Sequence, residues 1–187
     1  NGLINKLVLS DLLVEASSEN KDGNPKDSIL KAGLLGRMAV RLMLAPETVT
    51  LIHHAKKSFK QLYMFDLMLL SALTIDCSPV LQTNYEEIDS LCNLVQHLPS
   101  VLMDLTVERL QKKLPEVPNT QRILSAIKMA AICYCITEGE EFSEIADTFD
   151  VYESDIYILQ ESVVRLLTGI SAVSSAIDKS ELGEDCL

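Results

Sequence analysis

The stretch Asp155-Ile-Tyr-Ile-Leu-Gln-Glu-Ser-Val-Val-Arg-Leu-Leu-Thr-Gly-Ile-Ser-Ala-Val-Ser-Ser-Ala-Ile177 decides the fold class. Its apolar residues Ile156, Leu159, Val163, Leu166, Ile170, Val173 and Ile177 recur at alternating intervals of three and four. That spacing keeps one side of a helix apolar, and it predicts a single helix of about six turns over residues 155–177. Positions seven apart share a face, so Ile158 lines up with Arg165, beside Glu161, Thr168, Gly169 and Ala172. This second face is small and thinly charged, unlike an ordinary solvated stripe. Just upstream, Glu144-Ile-Ala-Asp147, Phe149, Val151 and Ser154-Asp155-Ile156 predict a short amphipathic helix, a turn and the start of the long helix, a helix-turn-helix arrangement.

Working back along the chain, further helices are expected over Glu47–Lys60, Tyr63–Thr74, Asn84–Met103, Val107–Leu114, Thr120–Ile136 and Ser143–Phe149. Asn84 and Glu87 are spaced as a capping pair. The segment from Ile123 to Ile136 is apolar nearly all round, which predicts a central helix buried on most sides. Nearer the N-terminus, Ser17 to Asp27 collects turn-forming residues between Leu12–Ala16 and Ser28–Ala32, a pattern for a hairpin with a long tip. Such a hairpin is the wing of a winged helix. Gly33 and Gly36 open a helical stretch through Leu44, and Pro46 suits the first turn of the helix that follows.

The 187 residues are 48% hydrophobic with only seven glycines and six prolines, a composition that folds rather than staying disordered. No uninterrupted apolar run reaches about 18 residues and no charged-then-apolar signal pattern opens the chain, so the expectation is a cytoplasmic protein without a membrane partner. Five cysteines, Cys77, Cys92, Cys133, Cys135 and Cys186, are an odd number set mostly in apolar helical patterns and read as reduced core thiols. The net charge of -11 is uneven. Residues 1–60 carry nine Lys and Arg against six acids, whereas the remainder is strongly acidic. Clustered bases supply nonspecific nucleic-acid affinity, so charge alone does not hold a strand here.

Cys133-x-Cys135 is too tightly spaced for a zinc knuckle, and His53-His54 point different ways on a helix, so no metal is expected. Glu138, Glu140, Glu141 and Glu144 crowd a helix start, where acids favour the macrodipole. No Gly-Lys-Ser/Thr phosphate loop or nucleophile constellation is present, so the chain by itself is not expected to hydrolyse a nucleotide and needs no cofactor. The best phosphate candidates are Arg37 with Arg41 and Lys56 with Lys60, each pair four apart on one helix face, with Lys57 alongside. The guanidinium of Arg165, alone among small and apolar neighbours, could stack on a base or hold a phosphate; its plain alternative is a pair with Glu161.

Two passages carry a family resemblance: Leu34-Leu-Gly-Arg37 leading to Ala45-Pro-Glu-Thr48, and Glu144-Ile-Ala146 through Phe149, Val151, Ser154-Asp-Ile156, Leu159 and Glu161. In order and spacing they resemble the C-terminal part of Ski-two-like superfamily 2 DExH helicases, especially the archaeal DNA-repair branch. The resemblance implies an all-α fold, a seven-helix-type bundle preceded by the end of a winged-helix domain with a short β-hairpin. It implies the end of the winged helix over 1–45, a ratchet-like helical bundle over 46–178 and a flexible acidic tail over 179–187. ATP and Mg would belong to motor domains of the same polypeptide, absent from this chain, and the substrate would be single-stranded or forked DNA unwound 3'-to-5'. In that family the long helix grips the strand with an arginine and a stacking aromatic seven residues apart, positions that map onto Ile158 and Arg165. Here isoleucine replaces the arginine and an arginine plane replaces the aromatic, with Thr168 as a supporting hydrogen-bond residue and Arg37 and Arg41 as the winged-helix contribution. From a different class, the acidic charge fits a helical protein-interaction module whose helix-turn-helix is incidental and whose three-four seam engages a partner helix.

Overall fold

The computed structural model describes residues 7–8, 10–18, 26–115, 117 and 119–181. Among them are one two-stranded hairpin, β1 (Leu13–Ser18) with β2 (Lys26–Ala32), and eight α-helices. In order these are α1 (Leu34–Leu42), α2 (Pro46–Ser58), α3 (Met64–Leu73), α4 (Ile88–Val95), α5 (Val107–Lys113), α6 (Thr120–Glu138), α7 (Phe142–Phe149) and α8 (Glu153–Glu181). The fold is mostly α, with a short hairpin ahead of the helices, as the patterning predicts. The strands pair antiparallel with Leu13 opposite Ala32 and Ala16 opposite Ile29, and an irregularity falls between Ala16 and Ser18. The expected hairpin tip, residues 19–25, and Cys186 lie outside the described residues.

α8 is the spine. Its 29 residues span about 43 Å, longer at both ends than the 155–177 expected. All seven seam residues from Ile156 to Ile177 are buried, and the helix lies against α1, α2, α3, α6 and α7. The seam is therefore filled by the chain's own helices and is not available to a partner helix, which corrects that part of the interaction reading. α6 is the buried centre, as its composition predicts. Asn119 caps it by accepting the Arg122 amide at 2.8 Å, and Gly139 ends it in the left-handed conformation at φ 87°. From α6 the Arg122 guanidinium reaches the C-terminus of α3 and donates to the carbonyls of Ala72 (2.7 Å) and Thr74 (2.8 Å).

The helix expected over Asn84–Met103 is shorter. A single 3-10 turn at Tyr85–Glu87 leads into α4, which stops at Val95, and residues 96–105 form turns. Pro99 explains the stop, because its ring would collide with the carbonyl four residues back, that of Val95, and it has no N–H to donate there. The released turn is held by the fully buried carboxylate of Asp66, the third residue of α3. Asp66 accepts from the amides of Tyr63 (2.9 Å), Val101 (3.2 Å) and Leu102 (3.0 Å) and from the Ser100 hydroxyl.

Gly36 lets α1 approach the hairpin's entry strand: a Cβ there would collide with the Leu12 carbonyl oxygen. Leu12, Leu35, Met38, Ala39 and Leu44 share one apolar core with the bundle helices, so the expected boundary at residue 45 is a turn over a continuous core. At the other end α8 runs through the first residues of the expected tail to Glu181. By length and composition α8 is the one described helix able to cross a membrane, a test that the buried core helix of a soluble protein also meets.

Cys77, Cys133 and Cys135 are buried free thiols and Cys92 is exposed. Burial, with Cys77 nearby, pushes the Cys133 thiol up to about 12. A thiol whose folded pKa is raised contributes stability that is fully present below the unfolded value and is lost as pH rises from about 9 towards 12. The stability of the protein is therefore expected to fall by about 1.4 kcal/mol per pH unit in that window from Cys133. Urea denaturation against pH checks this, and Cys133→Ala should make the slope shallower without abolishing it, because Cys135 is pushed up to about 12 as well; an unchanged slope would count against the Cys133 thiol as a source.

Candidate nucleic-acid interface

The sequence-predicted contact residues fall into two groups on the folded chain. The first lies on the outer face of α8. Ile158 is about half exposed, and Glu161, Arg165 and Thr168 are exposed along the same side. The segment 74–80 after α3 closes over one edge of this face. Arg165 Nη2 donates to the Asp76 carbonyl at 3.1 Å, the Ser78 amide donates to Ser162 Oγ at 3.1 Å, and the Asp76 carboxylate accepts the Ala45 amide at 2.8 Å. Arg165 thus bonds a main-chain carbonyl rather than Glu161, and the described ion pairs do not include those two residues. One of its five N–H donors is committed to that carbonyl, and the exposed guanidinium leaves a plane and further donors facing outward.

Thr168 Oγ1 donates to the Val164 carbonyl one turn back, at 2.9 Å. With its proton so placed, the hydroxyl offers its lone pairs to a ligand. Gly169 is buried because Leu44, just past α1, packs on it: a Cβ there would meet Leu44 Cδ1 at 3.0 Å. This contact brings the end of α1 beside the Arg165 face. Arg37 and Arg41 are exposed on α1, with Arg37 Nη1 donating to the Ala32 carbonyl at 3.0 Å, the join between β2 and α1.

The second group sits at the C-terminal end of α2. Lys56 pairs with Asp178 of α8 at 2.7 Å, and Lys57 and Lys60 are exposed. Lys113 of α5 lies 4.7 Å over the Phe59 ring and donates to the Ser58 carbonyl at 3.3 Å. Lysines at a helix C-terminus complement its partial negative charge, which accounts for the cluster without a ligand. A cavity of about 330 Å³ opens beside it, lined by Lys56, Phe59, Lys60, Leu67, Ile170 and Ser174 among others. Asp178 follows Arg165 by thirteen positions, so the two side chains leave α8 about 140° apart. Arg165 and the Lys56–Lys60 cluster therefore do not share a face and cannot hold one stretch of strand side by side.

Sequence reasoning missed Lys113, which joins the lysine cluster from α5, and the pair Asp76 and Ser162, which seat the covering segment. The adjacent His53 and His54, both half-buried, have ring centroids 6.0 Å apart. No group of three or more metal-ligating side chains forms among the described residues. No protein-family model matches the chain, and no curated protein sequence matches it.

Proposed function

We propose that this chain is the C-terminal accessory region of an ATP-dependent 3'-to-5' DNA helicase of the Ski-two-like kind, a cytoplasmic repair enzyme whose motor domains carry ATP and Mg. The observation that carries the reading is the outer face of α8. A spine helix rigidly packed on five others presents one exposed arginine with Arg37 and Arg41 of α1 on the neighbouring element. A rigid element holds a contact residue in place between steps of a motor, and an arginine plane can stack on a base while its edge bonds phosphate. Ile158 would add apolar contact, and Thr168 an acceptor. α8 begins Glu153-Ser154-Asp155, acids unsuited to a phosphate backbone, so the helix-turn-helix itself is not the reading head.

The test is fluorescence anisotropy of a labelled single-stranded oligonucleotide titrated with the chain at low and moderate salt. Binding is expected to weaken with salt, and Arg165→Ala should lower the affinity and reduce the salt slope by about one. Binding indifferent to Arg165→Ala at low salt would sink the assignment of α8. Lys56→Ala and Lys60→Ala, in the separate cluster at the end of α2, should change the same titration far less than Arg165→Ala does.

A further inference from the structure

Two hollows flank a single buried ion pair. Lys128 of α6, 3% exposed at its side chain, bonds Glu87 at 2.7 Å and the Gln82 carbonyl at 3.3 Å. On one side of this pair lies a cavity of about 210 Å³ walled by Leu91, Leu94 and Phe149. On the other lies one of about 470 Å³ walled by Val80, Asp150, Tyr152 and Asp155. Both are lined by Glu87 and Lys128, so the two hollows adjoin across the ion pair as the two ends of a surface groove between α4 and the α7–α8 turn.

The two ends differ in chemistry. The first is an apolar slot, and Leu94 leaves 42% of its surface in solvent at its lip. The second is lined by the two acids Asp150 and Asp155 together with Tyr152, which is 78% exposed. Among the described residues the cation lining the groove is Lys128, already neutralised by Glu87, so the field from Asp150, Asp155 and Glu86 along it is negative. Exposed leucine and tyrosine beside unpaired carboxylates suit a ligand with an apolar anchor and a cationic head, the guanidinium lying on the Tyr152 face between the two acids. A phosphate backbone is repelled by the same field, which separates this groove from the strand-holding face on α8.

We propose that this groove docks a basic segment of another polypeptide, seating a leucine-like anchor in the Leu91–Leu94–Phe149 slot and an arginine against Asp150, Tyr152 and Asp155. The inference does not depend on the helicase reading. The probe is a fluorescein-labelled synthetic peptide of alternating leucine and arginine, titrated into the full chain, with serine-for-leucine and glutamate-for-arginine peptides as comparisons. Salt-sensitive binding is expected for the first peptide and much weaker binding for the other two. Asp155→Asn and Tyr152→Ala should each raise Kd about tenfold, and Leu94→Ser should do so at the apolar end. Asp150→Asn keeps a residue type that tolerates the left-handed backbone at φ 49° and should act like Asp155→Asn. Glu161→Gln, on the outer face of α8, should change nothing. All these positions lie at the surface, and circular dichroism melting confirms the fold of each variant. Absence of binding at low salt, equal binding of the serine peptide, or indifference to the Tyr152 and Asp155 substitutions would each overturn the proposal.

Discussion

Asp66→Ala is expected to cost about 3–5 kcal/mol, a large share of the 5–15 kcal/mol that holds a domain of this kind together. The carboxylate is fully buried and satisfies four donors, the amides of Tyr63, Val101 and Leu102 and the Ser100 hydroxyl. Removing it strands those donors away from water, and an unsatisfied buried donor costs more than the net worth of the bond it made. Asp66→Asn keeps the shape but turns an NH₂ group towards at least one of the same donors, so it should lose roughly 2–4 kcal/mol rather than rescue the fold. Urea denaturation measures both: the midpoint should fall while the slope stays constant. A loss of less than about 1 kcal/mol for the alanine variant would mean that water reaches the site and replaces the carboxylate.

The second large effect is an asymmetry across the Lys128–Glu87 pair. Glu87→Gln leaves an ammonium group buried on the central helix without a counter-charge, its acceptors now the neutral amide oxygen of the substituted side chain and the Gln82 carbonyl, and roughly 2–4 kcal/mol should be lost. Lys128→Met fills the same volume with an apolar chain and returns Glu87, 26% exposed at its side chain, to water, so it should fall within about 1 kcal/mol of the parent or exceed it. The order matters more than either value. Were the methionine variant the less stable of the two, the pair would be contributing net attraction and the desolvation argument would fail. The segment 82–87 is tied to α6 by this pair, so Glu87→Gln should also raise hydrogen exchange selectively at the start of α4.

These two sites mark where the sequence stopped being legible. The three-four repeat of α8 and the all-round apolarity of α6 announce themselves because helical burial has a period, and the hairpin does so because a polar tip separates two runs that can pair. Asp66 has no such signature: one acid in an apolar helix becomes an anchor only when Ser100, Val101 and Leu102 return to it from more than thirty positions away. The stop at Val95 was there to be read in Pro99, but the leucines on either side, Leu98 and Leu102, carry the helical period through it and hide the break. The candidate interface divides in the same way. Spacing along α8 placed Ile158, Arg165 and Thr168 on one exposed face, whereas nothing local indicates that Arg165 would find the Asp76 carbonyl 89 positions away. The separation of Lys56 and Lys60 from that face needed the angle around α8, which only the packing of α2 supplies.

The bond from Arg165 to the Asp76 carbonyl ties ligand chemistry to chain geometry. Asp76 holds two partners at once, Arg165 through its carbonyl and the Ala45 amide through its carboxylate, while Ser78 leans on Ser162. An anion held by the outward donors leaves this clasp closed, whereas one that draws the whole Arg165 guanidinium away releases it, and its affinity is then reduced by whatever the clasp is worth. Linkage makes the relation mutual: anything that tightens the 74–80 segment onto α8 weakens the anion, and anything that loosens it at Ala45 strengthens the anion by the same factor. The junction between α1 and α2 is thereby a place from which the grip of this arginine is set without a contact to the arginine itself.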